Sequence, residues 1–573
     1  MKRLLKYFNG YKKECVLGPL FKLCEATLEL IVPLIIAEII DHGIGNGDGG
    51  YVVRMCLWLL ALGAVGLVFS ITAQYFCARA AVGFVTKVHS ALFGHLQTLS
   101  YTEIDKIGTS TMITRMTSDA NQVQTGINLT LRLLLRSPFV VFGAMVMALT
   151  IDTDTTWIFA GTIGALSVVV FGIMLISMPL YKKVQARLDG VVGKTRENLS
   201  GARVIRAFCK EDSEISEFDQ RNANLTKTQK TVGMISALMN PLTYVIINVA
   251  IVYLIYTGAV KVNVGELTDG QVVALYNYMS QILVELIKLA NLIITITKSL
   301  ASASRISGVF DVKSSIKDGK EKEAVSNSEY AVEFNDVALT YAGAGDASIS
   351  GISFGARRGE TIGIIGGTGS GKTSLINLIP RFYDASEGAV SVLGHDVREW
   401  SSDALRDRIG IVPQKAVLFA GTVRENMLWG NENATDEEIE RALEVAQAAG
   451  VVADKGGLDA RIEQGGKNLS GGQRQRLTIA RALVKDPDVL ILDDSASALD
   501  FATDAALRAA IRGIGGDKTV FIISQRASSI MHADKIIVLD DGRADGIGTH
   551  DELLKTSEVY REIYASQFKK EVE

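Results

Sequence analysis

Six long apolar runs in the first 300 residues constrain the fold of this chain more than any other feature. They lie near residues 15–40, 55–78, 130–150, 157–179, 234–258 and 271–297. A helix of about 20 apolar residues spans the roughly 30 Å hydrocarbon core of a bilayer. Because helices satisfy their own backbone hydrogen bonds in lipid, the sequence predicts an all-α membrane domain with six spans.

The second half of the chain has a different pattern. From about residue 331, short β-rich runs alternate with helical stretches, which is typical of a soluble α/β domain. The stretch before it is charged and polar, which is typical of a linker. We therefore expect a transmembrane domain with long cytoplasmic helical extensions over residues 1–312, a linker over 313–330 and an α/β domain over 331–573.

The distribution of basic residues predicts the orientation in the membrane. The connections at 41–50 and 151–157 contain no Lys or Arg, whereas the stretches between spans two and three and between spans four and five are long and basic. Basic loops stay in the cytoplasm. We expect an integral plasma-membrane protein (inner membrane in a Gram-negative cell) with both termini in the cytoplasm. Five basic residues also precede the first span: Lys2, Arg3, Lys6, Lys12 and Lys13.

The last span carries an unusual polar stripe. Gln281, Glu285 and Lys288 lie four and three residues apart, so they share one helical face. An ionisable group in hydrocarbon costs at least ~2.5 kcal/mol, so such residues face protein or a water-filled cavity. The stripe is therefore either a helix-packing seam with a Glu285–Lys288 ion pair or the lining of a substrate path. The first span carries a comparable set: Lys22, Glu25 and Glu29.

A glycine-rich loop in the second half carries the strongest chemical signal. It fits the pattern GxxxxGK[ST], between a strand-like ETIGII and a helical SLINLI. Its backbone N–H groups and its lysine can hold the phosphates of ATP, and its threonine hydroxyl can ligate Mg²⁺. The predicted ATP-binding residues of this loop are Gly366, Gly367, Thr368, Gly369, Ser370, Gly371, Lys372 and Thr373.

A second motif supplies a carboxylate for the metal. The apolar run Val489–Leu492 is followed by Asp493, at the carboxyl end of a predicted buried strand. Nucleotide-binding sheets place the acid that orients Mg²⁺ at this position. Together with the phosphate loop, Asp493 and Thr373 form the predicted magnesium site.

Between these two motifs lies Leu469-Ser470-Gly471-Gly472-Gln473, and this LSGGQ segment resembles the signature of ABC transporter ATPases. The resemblance covers nearly the whole chain, with the motifs in the family order. It implies that Tyr341 stacks on adenine. It implies that Gln414 is an ATP-binding residue and a third magnesium ligand, and that it joins the metal site to the membrane domain. It implies further that the loop Ser497–Asp500 crosses a dimer interface. It also implies that Ser470, Gly471, Gly472 and Gln473 act on ATP bound by a second subunit.

The membrane half is similar to that of ABC exporters. Residues 101–119 and 197–208 resemble their two cytoplasmic coupling segments. Six spans ahead of one ATPase domain is the half-transporter arrangement, which implies that two such chains form one pathway. The implied partners are a second half-transporter, membrane lipids and an amphiphilic substrate, which is a drug, a lipid or a peptide.

Two positions depart from the hydrolytic pattern of the family. Asp494 stands where the family usually has Glu, and Gln525 stands where it usually has His. A carboxylate shortened by one methylene positions the attacking water poorly, and Gln cannot carry the proton of an imidazole. An intact signature with altered catalytic residues resembles the degenerate-site subunit of heterodimeric bacterial multidrug-type exporters.

The same residues are compatible with two alternative functions. A homodimeric lipid or drug flippase with slow hydrolysis is the main alternative, and an ATP-gated membrane sensor is a second one. The six fused spans exclude the soluble ABC ATPases, and importers usually place the two domains on separate chains. With a net charge of −4 the chain has no global basic field, so no nucleic-acid partner is expected.

Overall fold

The computed structural model describes residues 3–325, 328–495, 498–514 and 517–568. Its contacts divide the chain into two compact units. The first comprises Met1–Gln97 with Ser110–Val312, and the second comprises Thr98–Thr109 with Lys313–Glu573. The segment 98–109 therefore leaves the membrane half and packs with the second half of the chain.

The described residues up to 312 are almost entirely helical, with short turns between the helices. A 3-10 helix Leu4–Phe8 comes first, and two π-helical segments, Ile39–Ile44 and Arg115–Asp119, interrupt the α-helices. The α-helices are α1 Lys12–Glu38, α2 Gly49–Gln97, α3 Tyr101–Ile107, α4 Thr109–Thr114, α5 Ala120–Leu133, α6 Arg136–Ile151, α7 Thr153–Ser200, α8 Ala202–Ala207, α9 Glu211–Ala237, α10 Met239–Val264 and α11 Asp269–Asp311.

Among the described residues, five helical stretches are long and apolar enough to cross a membrane. They are Gly49–Gln97, Thr109–Ile151, Thr153–Ser200, Glu211–Val264 and Asp269–Asp311. The first predicted span forms α1, but this helix falls outside the set because Lys22, Glu25 and Glu29 lie close together within its 27 residues. With 48 residues, α7 is about 70 Å long, more than twice the thickness of the hydrocarbon core.

The third predicted span, placed near residues 130–150, lies within the helical stretch Thr109–Ile151. An irregular turn divides this stretch, since α5 ends at Leu133 and α6 begins at Arg136. Pro138 explains the break, because a proline ring clashes with the carbonyl group four residues earlier, here that of Leu134. Pro138 itself lies in the first turn of α6, where a missing N–H is tolerated.

The core of the membrane half is built around the middle of α11. Tyr278, Met279 and Ile282 are fully buried there against α1, α6, α7 and α10. The Tyr278 hydroxyl donates a hydrogen bond to the Leu30 carbonyl of α1 at 2.6 Å, so this buried polar group is satisfied. A capping box at Thr268 and Gln271 defines the start of α11.

The second unit contains two principal sheets. One has the order β2-β1-β4-β5, and the other has the order β12-β11-β3-β10-β9-β6, in which all neighbours are parallel except the β11–β12 pair. The strands are β1 Tyr330–Leu339, β2 Ile349–Arg357, β3 Thr361–Gly366, β4 Glu387–Val392, β5 His395–Asp396, β6 Ile409–Val412, β7 Gly421–Thr422, β8 Arg461–Ile462, β9 Val489–Asp493, β10 Thr519–Ile523, β11 Lys535–Asp540 and β12 Arg543–Gly548.

Helices cover the parallel sheet, as expected for strands buried on both faces. They are α12 Lys372–Ile376, α13 Ser402–Asp407, α14 Val423–Leu428, α15 Asp436–Val445, α16 Ala449–Lys455, α17 Gly471–Val484, α18 Phe501–Arg512, α19 Ala527–Ile530, α20 His550–Thr556 and α21 Glu558–Phe568, with a 3-10 turn Gln464–Gly466. The prediction of a helical membrane half followed by an α/β half is confirmed.

Two details of the second unit differ from the sequence analysis. The helix predicted over SLINLI ends at Ile376, because the Pro380 ring clashes with the carbonyl group of that residue. The segment expected to be a linker is also bound to the α/β unit. The Gly319 N–H donates to the Trp400 carbonyl at 3.0 Å, and the Lys320 N–H donates to the Glu399 carbonyl at 2.8 Å.

Candidate functional site

The phosphate loop connects β3 to α12. Gly369 and Gly371 have φ angles of +85° and +92°, which side chains disfavour. A Cβ atom at Gly371 would also lie 2.5 Å from the Ile349 side chain. The Lys372 ammonium group bonds to the Gly366 and Gly367 carbonyl oxygens at 2.9 and 2.5 Å. The loop therefore folds around its own lysine, in the position where phosphate oxygens are bound in this motif.

A cavity of about 320 Å³ opens beside this loop. It brings together side chains that lie far apart in the sequence, because parallel strands end at one edge of a sheet. Seven predicted site residues line it along with Gly369 and Gly371: Thr368, Lys372, Thr373, Gln414, Asp493, Asp494 and Gln525.

Two of the three predicted magnesium ligands, Thr373 and Asp493, are adjacent in this cavity, and the third, Gln414, lines it and is hydrogen-bonded to Asp494. Asp493 ends β9 as a buried residue, and its carboxylate accepts a hydrogen bond from the Thr373 hydroxyl at 3.1 Å. Burial raises the pKa of Asp493, with a further contribution from the neighbouring Asp494 charge. Burial also lowers the pKa of Lys372. A bound cation and polyphosphate would compensate both groups, and Mg²⁺ prefers this pair of oxygen ligands.

Asp494 is held by its backbone at the edge of the same cavity. Its φ angle is +45°, its N–H donates to the Ile523 carbonyl at 3.0 Å, and its carbonyl accepts from the Gln475 amide at 3.3 Å. Its carboxylate is hydrogen-bonded to Gln414. Burial raises the pKa of Asp494 as well. A glutamate at position 494 would be longer by one methylene and would therefore reach further into the cavity than Asp494 does.

Gln525 lies two residues beyond the end of β10 and lines the same cavity. Its backbone carbonyl accepts a hydrogen bond from the Gln567 amide at 2.7 Å, which ties this segment to α21. The two positions that depart from the family pattern, Asp494 and Gln525, therefore border one cavity.

Tyr341 packs next to the loop but is not among the described residues that line the cavity. Its hydroxyl donates to the Ser374 hydroxyl at 3.0 Å, and its ring meets the Tyr383 ring edge-on at 5.0 Å. Tyr341 thus contacts the first turn of α12, one residue beyond Thr373. Its role as the surface on which adenine stacks stays a prediction.

The signature segment forms the start of α17, and Ser470 is the N-cap. The Ser470 hydroxyl accepts from the Gln473 N–H at 3.3 Å, and the Gln473 side chain accepts from the Ser470 N–H at 2.9 Å. This capping box was missed in the sequence, although S-x-x-Q is its pattern. Gly472 leaves little room for a side chain, since a Cβ atom there would lie 3.0 Å from the Ala498 carbonyl oxygen.

Ser470 is exposed, and none of residues 470–473 is among the described residues that line the phosphate cavity.

The predicted interface loop is only partly described, because Ser497 lies outside the described residues. At its end, Asp500 is the N-cap of α18 and accepts hydrogen bonds from the Thr503 N–H and hydroxyl at 2.8 and 2.9 Å. A capping role for Asp500 was not anticipated.

Only the first part of the first predicted coupling segment, residues 101–109, packs within the second unit, through aromatic side chains, whereas residues 110–119 belong to the first unit. The Tyr101 ring lies 4.6 Å from the Phe382 ring, and the Tyr383 hydroxyl donates to the Asp105 carboxylate at 2.7 Å. The second segment forms α8, where Val204 and Phe208 at its end are 59% and 71% exposed. The coupling role of both segments stays a prediction, and the sequence did not indicate Phe382 or Tyr383 as contacts of the first one.

The polar stripe of α11 has features of both interpretations, the helix-packing seam and the lining of a substrate path. Glu285 is buried and pairs with Lys288 at 2.8 Å, as the packing seam requires. It also accepts hydrogen bonds from Arg136 at 2.7 Å and Ser137 at 2.8 Å, partners that the sequence analysis missed. Yet Gln281, Glu285 and Lys288 all line a cavity of about 310 Å³, which is what a substrate path requires.

Comparison with known proteins agrees with both halves of the chain. Residues 15–286 match the ABC transporter transmembrane region, and residues 349–497 match the ABC transporter family. An uncharacterized ABC transporter ATP-binding protein of Mycobacterium tuberculosis is 35% identical over 98% of this chain and 97% of its own length. An ATP-dependent lipid A-core flippase of Desulfotalea psychrophila is 30% identical over 99% of both chains.

Two further similarities concern export. A putative multidrug export ATP-binding/permease protein of Bacillus subtilis is 29% identical over 99% of both chains. A solved bacterial Atm1-family ABC exporter with ATP bound superimposes with a TM-score of 0.79, at 23% identity, over 98% of this chain and 99% of that one. With the phosphate loop, the buried Asp493 and the signature in place, this chain belongs to the ABC transporter family and is an ATP-driven exporter in which transmembrane and ATPase domains are fused.

Proposed function

We propose that this chain is one subunit of a heterodimeric ABC exporter that moves an amphiphilic substrate, a drug, lipid or peptide, across the plasma membrane. In this proposal its own ATP site is degenerate, and its signature completes the hydrolytic site of a different half-transporter. The observation that carries the proposal is that Asp494 and Gln525 border the same nucleotide cavity, while the phosphate loop and the signature are intact.

ATP binding depends on groups that this chain retains. Lys372 and the loop N–H groups neutralise and hold the phosphates, and Thr373 with Asp493 would hold Mg²⁺. When bound, Mg²⁺ neutralises charge that develops on the phosphoryl group. Hydrolysis additionally needs a carboxylate that positions water, and Asp494 is short by one methylene and hydrogen-bonded to Gln414. This chain should therefore hold ATP and cleave it slowly.

The exposed signature supports an action in trans. Ser470 lies at the surface, at the start of a 14-residue helix whose first N–H groups attract anions. In the proposed dimer these groups contact the γ-phosphate of ATP held by the second subunit. ATP then favours the closed pair of ATPase domains, and hydrolysis releases it, which is a two-state switch driven by differential affinity.

The proposed membrane arrangement has six spans, with α1 as the first, and both termini in the cytoplasm. The charges of α1 are compatible with a span because they are paired: Lys22 with Glu25 at 2.5 Å, and Glu29 with Arg136 at 2.5 Å. The exposed Val204 of α8 and Phe208, the residue that follows this helix, are suited to dock on an ATPase domain of the partner. The stripe Gln281, Glu285 and Lys288 is proposed to border the substrate path.

A homodimeric lipid flippase is the second candidate. The lipid A-core flippase that is 30% identical over almost the whole chain favours it. In a homodimer both sites would contain Asp494 and Gln525, so this candidate requires that such sites sustain transport. The ATPase rate of the chain expressed alone distinguishes the heterodimer from the homodimer.

Transport itself is testable in vesicles that contain the full chain together with a half-transporter bearing Glu and His at the matching positions. We expect ATP-dependent accumulation of an amphiphilic compound, and loss of most of it when the partner's catalytic glutamate is removed. Lys372→Ala should weaken ATP binding at the degenerate site and reduce accumulation, because closure is then less favourable. ATP-driven closure without movement of any compound would indicate a sensor and contradict the export function.

The substrate path can be tested by cysteine accessibility in a cysteine-free background. Gln281→Cys and Lys288→Cys should react with water-soluble thiol reagents, and their reactivity should change when ATP is added. Met279→Cys is the matched control, since Met279 is fully buried on the same helix and should stay protected. If cysteines at 281 and 288 are protected in every nucleotide state, the polar stripe is a helix-packing seam and does not border a substrate path.

A further inference from the structure

The cavity beside α11 carries a specific arrangement of charge. It has a volume of about 310 Å³, near the lower end for small-molecule sites, so it suits the polar end of an amphiphile better than a whole one. Its apolar wall includes Val32 and Ile36 of α1. Its polar wall includes Glu29, Gln281 and Lys288.

Two of the charged side chains in this cluster are accessible and two are buried. The side chains of Glu29 and Lys288 are 41% and 43% exposed, whereas those of Arg136 and Glu285 are 7% and 4% exposed. The buried pair is joined at 2.7 Å, and each member holds one exposed charge: Arg136 holds Glu29 at 2.5 Å, and Glu285 holds Lys288 at 2.8 Å. Two carboxylates and two cations give the cluster a net charge of zero.

The cluster keeps unused hydrogen-bonding capacity. Within the described part of the chain, Gln281 Oε1 and Arg136 Nε are buried and have no hydrogen-bond partner. Buried polar atoms are rarely left unpaired unless a ligand, water or ion binds there. Lys288 also has three donors, and the ion pair with Glu285 uses one of them.

We infer that this cavity binds the polar end of a zwitterionic amphiphile, a molecule with an ammonium group and a phosphate or carboxylate group. The inference rests on the proposed export function. The ammonium group would bind the accessible Glu29 carboxylate, and the anionic group would bind Lys288. The apolar wall from α1 would receive the first methylene groups of the tail.

Charge complementarity favours this class over singly charged molecules. Charges interact strongly in a low-dielectric cavity, so a neutral cluster with one accessible charge of each sign is best matched by a ligand of the same kind. A purely anionic ligand would be attracted by Lys288 and repelled by Glu29. A purely cationic ligand would be attracted by Glu29 and repelled by Lys288. Arg136 acts as a positioning residue, because its planar fork holds Glu29 and Glu285 at fixed places.

The test uses the purified full chain in a neutral detergent, without nucleotide, and calorimetry with four short-chain probes. Dihexanoyl phosphatidylethanolamine carries ammonium and phosphate, γ-decyl glutamate carries ammonium and carboxylate, dihexanoyl phosphatidylglycerol is anionic, and decylammonium is cationic. At least one zwitterion should bind about tenfold more tightly than either singly charged probe. The better of the two zwitterions shows whether the head group is phospholipid-like or amino-acid-like.

Substitutions should reverse the preference rather than abolish binding. Glu29→Gln should favour the anionic probe, and Lys288→Gln should favour the cationic probe. Lys298→Gln is the matched control, because Lys298 is exposed on the same helix and does not line the cavity. Equal affinities for all four probes, or an equal loss for every probe in both variants, would overturn the inference.

Vesicle transport separates this inference from the export function. Selective binding of a zwitterion without ATP-driven accumulation would support the assignment of the cavity and contradict export. ATP-driven accumulation whose selectivity is the same in Glu29→Gln, Lys288→Gln and the parent chain would support export and overturn the assignment.

Discussion

Replacing Ser470 with arginine should reduce ATP turnover of the heterodimer by about 100-fold, the size of effect seen when a donor to a developing anion is lost. Asp494→Asn in the same heterodimer should lower turnover only about twofold, since the Asp494 carboxylate is already too short to position water. The difference arises because Ser470 serves the competent site of the partner, whereas Asp494 belongs to the degenerate one. Steady-state phosphate release measures both variants.

The geometry of α17 explains why arginine is so damaging. Ser470 is an exposed N-cap, and a long side chain there would occupy the space that the partner's γ-phosphate needs. Arginine also removes the cap, which costs about 1 kcal/mol of stability. Ser470→Thr keeps the cap and is the matched control, expected to retain most of the turnover. If Asp494→Asn is lethal and Ser470→Arg harmless, the assignment of the two sites is inverted.

The fold and the nucleotide site were largely predictable because their signals are local. Apolar runs of about 20 residues determine membrane helices. The phosphate loop needs glycine at the two positions where φ exceeds +80°, and Asp493 follows a run of buried residues. Such patterns require no knowledge of distant parts of the chain. The structure places the Thr373 hydroxyl 3.1 Å from the Asp493 carboxylate, and the role of the two groups as magnesium ligands stays a prediction.

The features that were missed depend on long-range contacts or on one competing residue. Arg136 pairs with Glu285 across 149 positions, and nothing near Arg136 in the sequence indicates that partner. The irregular turn before α6 depends on Pro138, a single residue inside the stretch predicted as the third span. Tyr101 meets Phe382 because residues 98–109 pack with the second unit, a choice that no local pattern predicts.

The isolated chain offers the test with the largest gain of activity. Expressed alone, it should bind ATP and hydrolyse it very slowly, because every site of a homodimer would contain Asp494 and Gln525. Asp494→Glu combined with Gln525→His should raise its ATPase rate by at least about 100-fold, the usual contribution of a positioned general base and its partner group. Each single substitution should achieve much less, since the two side chains act on the same water and γ-phosphate.

The structure favours recovery because the required positions already exist. The Asp494 backbone is held by the Ile523 carbonyl and Gln475, so a glutamate there would extend its extra methylene into the cavity that Gln525 also borders. Lys372→Ala in the double variant is the control and should remove the gained activity. If the unaltered chain alone already hydrolyses ATP rapidly and loses that activity with Asp494→Asn, it is an ordinary homodimer and the degenerate-site proposal is wrong.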